Sequence, residues 1–438
     1  MINGRDVYIV DGSRTPQLKA RGKPGPFSAS DLAVSAGRAL LMRNNFDLGE
    51  LDEVIIGCVM PSENEANIGR VIALRLGIPQ TVPAWTVQRN CASGMQSIDS
   101  ACHNIASGQS DLVLAGGVEA MSHAPVLYNS TMVYWLSDLM QSKTVMQRLV
   151  HITKLRLGHF RPVIALLRGL TDPIVGLNMG QTAENIAAKF GITRRRMDSF
   201  AVSSHHRLAA AQAAGHLDEI EVLYDNEGNY YDHDDGVRPD SSLDKLAKLR
   251  PVFDRKYGNV TAGNSAQITD GATMLLLASK EAVEKHQLPV LAKIVDTQWA
   301  GLDPALMGMG PVHAMSPIMN RHQLTINDID YWEINEAFAT QVIGCVEAWK
   351  DDDYCRNHLG QEKAFGEIPH ERLNVDGGGV SLGHPVGASG ARIVLHLAKV
   401  LQRNRARRGM ASLCIGGGQG GAMLIENVSN DISPGEAG

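Results

Sequence analysis

The sequence predicts an α/β fold made of two copies of one unit, with a helical segment inserted into the first copy. Three observations predict it. Short apolar runs alternate with amphipathic segments, which is typical of parallel strands covered by helices on both faces. A small-Ser-Gly cassette occurs once in each half of the chain. The alternation breaks between residues 120 and 250.

Strand-like runs separated by helical patterns begin the first half. The predicted strands are Val7–Val10, Glu53–Cys58, Thr86–Gln88 and Leu112–Ala115, and the predicted helices cover 30–43 and 66–76. The last third repeats this rhythm. Its predicted strands are Leu291–Val295, Tyr331–Ile334, Ala411–Ile415 and Met423–Ile425.

Each copy of the cassette opens a helical pattern, which is followed by a strand that runs into paired glycines. The first copy is Ala92-Ser93-Gly94, followed by Gly116-Gly117, and the second is Ala388-Ser389-Gly390, followed by Gly416-Gly417. This similarity indicates duplication of one α/β unit, and chance recurrence of common turn residues is the alternative. The predicted domains are residues 1–120 with 250–285, an inserted loop domain at 121–249, and residues 286–438.

A basic stretch, residues 139–171, lies inside the insertion. It contains six Lys or Arg and no Asp or Glu. Apolar residues at helical spacing predict two short amphipathic helices hinged near Gly158 and Pro162. Such a surface suits an anionic membrane, a partner subunit or a phosphorylated ligand. A solvated charged face over a local core is the equal alternative.

Composition sets the broad class. The 438 residues are enough for two or three domains, and a net charge of −6 argues against nucleic acid as the main partner. The six Cys show neither zinc spacing nor a dense disulfide framework, which favours a reducing compartment. No leader pattern and no 18-residue apolar span is found, so a cytoplasmic location is expected.

Cys91 is the first candidate for chemistry. It lies where a strand pattern gives way to a helical pattern, between Asn90 and Ala92. Free N–H groups at a helix N-terminus stabilise a thiolate, and they can also donate to an oxyanion on an attacked carbonyl. A cysteine between small residues is, taken alone, more often a packed core residue than a catalytic one. The case for Cys91 as a nucleophile therefore depends on the other candidate residues.

Three further segments carry groups suited to acyl transfer. His384, between a glycine and a proline on a predicted turn, can take a thiol proton at neutral pH. Cys414 precedes three glycines, which predicts an exposed thiol, and a buried structural Cys is the alternative. The carboxamide of Asn335 can hold a water or a carbonyl, or else cap a helix. Two thiols, an imidazole and a carboxamide are the parts of a site that makes and breaks a thioester.

As an ordered set, these segments resemble the thiolase family over nearly the whole chain. The similar segments are 11–16 (DGSRTP), 90–94 (NCASG), 116–122 (GGVEAMS), 179–184 (MGQTAE), 261–264 (TAGN), 335–338 (NEAF), 383–385 (GHP) and 414–418 (CIGGG). The resemblance implies the duplicated, five-layer αβαβα thiolase fold with an inserted loop domain. It also implies ping-pong acyl transfer with coenzyme A as a substrate, without a metal or another cofactor.

The resemblance further implies a role for each candidate residue. Cys91 would attack the 3-keto carbon of a 3-ketoacyl-CoA, and His384 would take its proton. Cys414 would protonate the departing acetyl-CoA carbanion and then deprotonate incoming CoA. Asn335 would position a water, while the N–H groups of Cys91 and Gly416 would hold the oxyanion of the acyl-enzyme.

Contacts with coenzyme A and the subclass also follow from the resemblance. The implied CoA contacts are Arg238, Phe253, Ser265 and Phe338. The family's pantetheine-contacting Ser is Ala266 here, with Ser265 beside it. Residues 139–171 and 245–270 resemble the thiolase subunit of trifunctional fatty-acid oxidation complexes, whose members typically have His at position 335.

The resemblance favours a 3-ketoacyl-CoA thiolase, an acetyl-CoA C-acyltransferase of fatty-acid β-oxidation. Expected partners are acyl-CoA and CoA, a second copy in a homodimer core, and either a tetramer or a complex with a hydratase/dehydrogenase subunit. Peripheral membrane contact through 139–171 is also expected. The alternatives are an acetoacetyl-CoA thiolase (acetyl-CoA C-acetyltransferase), a decarboxylating ketosynthase, which would need a second His at 335, a papain-like hydrolase, and a non-catalytic lipid-binding scaffold.

Overall fold

A ten-stranded mixed sheet runs through the computed structural model, which describes residues 4–428. The strands are β1 (Val7–Arg14), β2 (Leu18–Lys19), β3 (Glu53–Gly57), β4 (Ala84–Val87), β5 (Leu112–Ala120), β6 (Val126–Tyr128), β7 (Pro162–Ile164), β8 (Leu223–Tyr224), β9 (Tyr230–Tyr231), β10 (Thr269–Ser279), β11 (Ala292–Gly301), β12 (Tyr331–Ile334), β13 (Arg408–Ile415) and β14 (Gln419–Glu426). Two small antiparallel sheets of two strands each, β6 with β7 and β8 with β9, are separate from the large sheet.

Helices connect these strands and cover the sheet. They are α1 (Ala29–Arg43), α2 (Ile68–Arg75), α3 (Ser93–Ala106), α4 (Ser130–Gln141), α5 (Val145–Thr153), α6 (Ala165–Gly169), α7 (Met179–Phe190), α8 (Arg194–Ala213), α9 (Leu243–Ala247), α10 (Lys280–His286), α11 (Gly310–Arg321), α12 (Ala339–Lys350), α13 (Asp352–His358), α14 (Gly379–Leu382) and α15 (Val386–Arg403). Among the described residues, no helix combines the length and the apolar composition that crossing a bilayer requires.

The strand order shows the predicted duplication. The order β3-β5-β10-β1 in the first half is repeated as β12-β13-β14-β11 in the second, and the antiparallel pair β1–β11 joins the halves. The register shifts at the same place in both joining strands, before Asp11 in β1 and before Asp296 in β11. Each of these carboxylates accepts the next residue's N–H, at 2.7 Å and 2.9 Å.

The layers follow from two central helices, α3 and α15, which pack against each other and against both halves of the sheet. Helices α1 and α2 cover the outer face of the first half, while α11 packs on the outer face of the second and contacts α12. The five-layer αβαβα order is therefore confirmed. Because the two central helices lie between two sheet faces, their first turns are brought together inside the protein.

Two local predictions are wrong. Gly116 and Gly117 do not end a strand, because β5 continues to Ala120. A side chain at Gly117 would lie 2.0 Å from the carbonyl oxygen of Gly387, so this glycine lets α15 approach the strand. The second predicted amphipathic helix is shortened to α6, because residues 162–164 pair with β6 instead. The division into three domains stays a prediction.

Candidate active site

A tight turn between β4 and α3 ends at Cys91. Asn90 has a φ of +45°, which is uncommon for a residue with a side chain. Ser93 holds the turn, since its hydroxyl accepts the N–H of Arg89 at 2.9 Å and donates to the carbonyl of Asn90 at 2.7 Å. Helix α3 begins at Ser93. Cys91 therefore lies just before a helix N-terminus, as predicted.

The half-buried thiol of Cys91 faces two backbone N–H groups. Burial raises its pKa, while the N–H groups of Gly416 and of Cys91 itself lower it. The side-chain amide of Asn90 donates to the carbonyl oxygen of Gly416 at 2.8 Å, which fixes the turn of the second half beside the thiol of the first. The resting thiol therefore keeps its proton at neutral pH and needs a base. The N–H groups of Gly416 and Cys91 lie where they can donate to a negatively charged sulfur.

Cys414 lies in β13, one residue before the strand ends. The prediction of an exposed thiol is wrong: Cys414 is buried, because β13 stays paired with β14 as far as Ile415. Burial raises the pKa of Cys414 well above 9.0, and the nearby thiols of Cys91 and Cys345 raise it further. The two candidate thiols thus lie close enough to influence each other, and Cys414 is protonated at neutral pH.

His384 lies on the turn between α14 and α15 and is largely buried, rather than presented to solvent. Its backbone N–H donates to the carbonyl of Gln267 at 3.0 Å, and its Nδ1 lies 2.6 Å from the hydroxyl of Ser389. Burial, and to a smaller degree the positive charge of Arg392, lowers the pKa of His384 to about 4. The imidazole is therefore neutral at pH 7 and able to accept a proton.

Asn335 lies beside this imidazole. Its side-chain nitrogen is 3.5 Å from both ring nitrogens of His384, at the outer limit of a hydrogen bond. Its backbone N–H donates to the carbonyl of Ser412, and α12 begins only at Ala339, so Asn335 does not cap that helix. The buried Oδ1 has no hydrogen-bond partner among the described residues. A buried acceptor without a partner is a ready position for a water molecule.

The first turns of α3 and α15 bring the base toward the nucleophile. A side chain at Gly94 would lie 2.8 Å from the carbonyl oxygen of Gly387, so the two helices touch at their N-terminal ends. Cys91 precedes Gly94 by three residues, and His384 precedes Gly387 by three. The structure therefore places the nucleophile and base candidates at two adjoining helix N-termini, one from each half of the chain.

The candidate CoA contacts lie beside the same site, with one exception. The rings of Phe253 and Phe338 meet edge to face with centroids 5.9 Å apart. Phe253 also lies against Gly180, where a side chain would come within 2.1 Å of the ring. Met179, the residue before Gly180, lies close to Gly416. Its sulfur would be 3.4 Å from a Cβ atom placed on that glycine. The two rings are therefore connected through α7 to the turn that faces Cys91.

Ser265 and Arg238 differ in their placement. Ser265 is buried and forms a backbone bridge with Phe338, but its hydroxyl donates to the carbonyl of Thr261 at 2.7 Å. Arg238 is exposed on a loop, where its backbone N–H donates to Nδ1 of His205 at 3.1 Å. No contact joins Arg238 to the two rings among the described residues.

Two residues beside the site were assigned no function from the sequence. Ser389 contacts His384 directly, and the cassette at 388–390 was the available signal. Glu119 is buried and accepts N–H bonds from Val59, Met60 and Gly387 at 3.0–3.1 Å, which ties a loop of the first half to the start of α15. Burial raises the pKa of Glu119 to about 7. Among residues 4–428, no group of His, Cys, Asp and Glu forms a metal site.

Comparison with known proteins gives a consistent result. The family model "Thiolase, N-terminal domain" matches residues 7–281, and "Thiolase, C-terminal domain" matches residues 288–427. The chain is 35% identical to the mitochondrial trifunctional enzyme subunit beta of Rattus norvegicus, covering 97% of this chain and 89% of that protein. It is 38% identical to the beta-ketoadipyl-CoA thiolase of Pseudomonas aeruginosa, covering 97% and 100%.

Solved structures resemble the whole chain. Human mitochondrial 3-ketoacyl-CoA thiolase in complex with CoA aligns with a TM-score of 0.83 at 35% identity, covering 97% of this chain and 98% of that one. The acetyl-CoA acetyltransferase from Syntrophomonas wolfei aligns with a TM-score of 0.84 at 34% identity, covering 98% and 100%. Since both family models match in order and together cover most of the chain, the protein belongs to the thiolase family of acyltransferases.

Proposed function

We propose that the protein is a 3-ketoacyl-CoA thiolase, an acetyl-CoA C-acyltransferase that cleaves a 3-ketoacyl-CoA with CoA to acetyl-CoA and a shortened acyl-CoA, as in fatty-acid β-oxidation. The observation that carries the proposal is the meeting of a half-buried thiol, two N–H donors, a second protonated thiol and a neutral imidazole where the two halves join. These are the groups that a covalent thioester mechanism needs.

In the first step, the Cys91 thiol transfers its proton to His384 and its sulfur attacks the 3-keto carbon. Because Nδ1 of His384 is hydrogen-bonded to Ser389, the acceptor is the other ring nitrogen, Nε2, which has only a long contact of 3.5 Å with Asn335. The neutral state of the imidazole, which its lowered pKa ensures, is the state that this step requires.

In the second step, the bond between the 2- and 3-carbons breaks and leaves the acyl group on Cys91. The electron pair of that bond goes to the leaving acetyl-CoA as a carbanion, which takes the proton of Cys414. A thiol with a strongly raised pKa holds its proton until a strong base such as a carbanion forms beside it. The remaining Cys414 thiolate then deprotonates incoming CoA.

In the last step, the CoA sulfur attacks the acyl-Cys91 thioester. The N–H groups of Cys91 and Gly416 stabilise the oxyanion, and the intermediate collapses with Cys91 as the leaving group, which takes back its proton from His384. The unpartnered Oδ1 of Asn335 is the proposed holder of a water that, with His384, stabilises the negatively charged thioester oxygen of the substrate. Phe253, Phe338, Ser265 and Arg238 are the proposed CoA contacts.

The closest variant of this chemistry is acetyl-CoA C-acetyltransferase activity on acetoacetyl-CoA. The similarity to the structure of an acetyl-CoA acetyltransferase favours it as the second candidate. Both activities use the same groups and differ in the acyl chain that the site admits. Turnover measured along a series of 3-ketoacyl-CoA substrates from short to long chains distinguishes them.

The assembly and the location are part of the proposal. We propose a homodimer core, and either a tetramer or a complex with a hydratase/dehydrogenase subunit, because one relative is named as a subunit of a trifunctional enzyme. Coenzyme A acts as a substrate, and no other cofactor is expected. A cytoplasmic location stays a prediction.

A covalent-adduct experiment tests the mechanism. Native protein incubated with a 3-ketoacyl-CoA and no CoA should carry one acyl group on the peptide that contains Cys91, as seen by mass spectrometry, and CoA should release it. Cys91→Ala should lose both adduct and turnover while keeping its melting temperature. The control is Cys102→Ala, which replaces a buried cysteine in α3, the helix that follows Cys91, and this variant should keep the adduct. Turnover by Cys91→Ala, or an adduct on another residue, would refute the proposed nucleophile.

A further inference from the structure

Four glycines meet beside the candidate active site. Gly57 ends β3, Gly94 is in the first turn of α3, Gly117 is in β5 and Gly387 is in the first turn of α15. A Cβ atom placed on Gly57 would lie 2.6 Å from the backbone nitrogen of Gly94, and one placed on Gly117 would lie 2.0 Å from the carbonyl oxygen of Gly387. The ends of two strands and the starts of both central helices are therefore in backbone contact.

The carboxylate of Glu119 connects three parts of this junction, and the side chain is fully buried. Its Oε2 accepts the N–H of Val59 at 3.0 Å and the N–H of Gly387 at 3.1 Å. Its Oε1 accepts the N–H of Met60 at 3.0 Å, and the thiol of Cys58 donates to the same oxygen at 3.7 Å. Glu119 thus joins β5, the loop after β3 and the first turn of α15.

These contacts suit an ionised carboxylate. All four partners are donors, and an ionised carboxylate only accepts. Burial raises the pKa of Glu119 to about 7, although the three N–H bonds oppose the rise. The positive end of the α15 dipole also favours the negative charge. Each oxygen already accepts from two donors, so the carboxylate is suited to holding backbone rather than to exchanging protons with a substrate.

Glu119 is coupled to both candidate residues of the proposed proton transfer. Gly387 lies three residues after His384, so its bond to Glu119 holds the turn that carries the imidazole. Burial raises the pKa of the Cys91 thiol, and the negative charge of Glu119 raises it further, which means that the carboxylate lies near the sulfur. One side chain therefore acts on the base through a hydrogen bond and on the nucleophile through its charge.

We propose that Glu119 is a positioning residue for the acyl transfer, and that its carboxylate holds the His384 turn against the Cys91 turn. The bond from Asn90 to Gly416 joins the two halves of the chain at the Cys91 turn, and Glu119 joins them at the His384 turn. This inference rests on the proposed function, because the role of Glu119 is defined by that reaction.

Steady-state kinetics of two variants test the positioning role. In Glu119→Gln, an NH2 group replaces one oxygen and cannot accept the N–H groups that face it. Glu119→Asp keeps the charge but is one methylene shorter. Both variants should lower kcat at least about tenfold, since a misplacement of about 1 Å can cost on the order of a hundredfold in rate. KM for the acyl-CoA should change less than about twofold, because the lost interaction acts on the reacting groups and not on substrate binding.

Glu53→Gln is the matched control. Glu53 is also buried, at the other end of β3. Its carboxylate also accepts from three side-chain donors: Trp85, Asn104 and Ser110. This variant loses the same kind of bonds away from the site, so its melting temperature should fall by an amount similar to that of Glu119→Gln. Its kcat should stay within about twofold of the native value.

Alkylation of Cys91 by iodoacetamide separates position from charge and needs no substrate. The pH dependence of the rate constant, measured by mass spectrometry of the peptide that contains Cys91, gives the pKa of this thiol. In Glu119→Gln, loss of the negative charge should shift the pKa of Cys91 to lower pH. Glu119→Asp keeps the charge and Glu53→Gln removes a distant one, so both should leave the pKa of Cys91 close to its native value.

Specific results would overturn the proposal. A kcat within about twofold of the native value in both Glu119 variants, or equal losses in Glu119→Gln and Glu53→Gln, would remove the positioning role. Complete loss of turnover in Glu119→Gln with nearly native turnover in Glu119→Asp would instead assign proton transfer to the carboxylate. An unshifted pKa of Cys91 in Glu119→Gln would show that the carboxylate is too far from the sulfur.

The two measurements also keep the two proposals apart. If Glu119→Gln does not fold, kcat and KM of Glu119→Asp decide the positioning role. Absence of thiolase turnover in the native protein would contradict the proposed function. The pKa of Cys91 in the variants would still decide whether Glu119 acts on this thiol, because alkylation does not depend on the reaction.

Discussion

The hydroxyl of Ser389 bridges Nδ1 of His384, at 2.6 Å, and the carbonyl oxygen of Pro385, at 3.1 Å. A carbonyl can only accept, so the hydroxyl donates to Pro385 and its oxygen accepts the Nδ1–H of His384. This arrangement selects the tautomer with an unprotonated Nε2. In the proposed reaction, Ser389 is therefore a positioning residue, which holds the imidazole in the form that can take the Cys91 proton.

The Ser389→Ala variant should lower kcat about tenfold, which corresponds to the loss of one hydrogen bond that orients the base. KM for the acyl-CoA should change little, and Ser389→Thr should restore part of the rate. Ser35→Ala is the control, because Ser35 makes the same kind of bond to a carbonyl four residues earlier, in α1. Equal losses in the two alanine variants would contradict the positioning role.

The pH dependence of turnover should report the lowered pKa of His384. An ordinary imidazole loses its capacity as a base below pH 6.5, whereas His384 should keep it until the pH approaches about 4. In Asn335→Asp, a carboxylate beside the ring would favour the protonated imidazole and raise its pKa, so the acidic limb should move to higher pH. The measurement is the pH profile of kcat, with the fold followed by circular dichroism. An acidic limb near 6.5 in the native protein would contradict this assignment.

The contact between Gly180 and Phe253 offers a test of the CoA contacts. In Gly180→Ala the new methyl group would lie 2.1 Å from the ring, so the ring must move. KM for CoA should rise, with a smaller change in kcat, and Phe253→Ala should give the same pattern. Ala188→Ser, an exposed change on the same helix, is the control and should leave KM unchanged. A normal KM for CoA in both site variants would remove Phe253 from the binding surface.

Stability should fall at alkaline pH because of a buried histidine outside the site. The ring nitrogens of His396 lie 3.0 Å from Glu219 and 3.1 Å from Asp376. Burial alone would lower the pKa of His396, but the two carboxylates raise it to about 10. Since the folded pKa lies above the unfolded value of 6.5, the stabilisation is full below pH 6.5 and is lost as the pH rises through 10.

Replacement of this imidazole should therefore remove both stability and pH dependence. His396→Gln should destabilise the protein by about 3 kcal/mol at neutral pH, because it removes the buried cation that Glu219 and Asp376 share and leaves them only Arg14 and Arg403. Its free energy of unfolding should vary less between pH 7 and pH 10 than that of the native protein. Urea unfolding at several pH values measures both effects. Parallel profiles for the two proteins would contradict the charged state of His396.

Much of the fold is predictable from periodicity. The apolar runs place most strands of the sheet, and the cassette at 92–94 and 388–390 marks the two central helices. Strand β10 was not predicted, although it lies next to β1 in the sheet. Its core is a continuous apolar run, which periodicity cannot distinguish from a buried helix.

The candidate site, like the fold, is only partly predictable from the sequence. Cys91, His384 and Cys414 are predictable as site residues, because each is a reactive residue type in a short glycine-containing segment that can be recognised from the local sequence. The burial of Cys414 could not be predicted from the sequence, since it depends on how far along the chain β13 stays paired with β14. The role of Ser389 was missed for a related reason: its hydroxyl turns back along α15 to reach His384, which only three-dimensional geometry shows.

The bond between Asn90 and Gly416 has a consequence for how this catalyst is constructed. In the proposed reaction, neither repeat holds a full set of reactive groups: one supplies the sulfur that carries the acyl fragment, and the other supplies the groups that accept and donate protons. Chemistry therefore arises only where the two repeats meet. A small shift between the two repeats would separate the reacting atoms without unfolding either repeat. The relative position of the repeats therefore affects turnover as directly as the identity of any side chain.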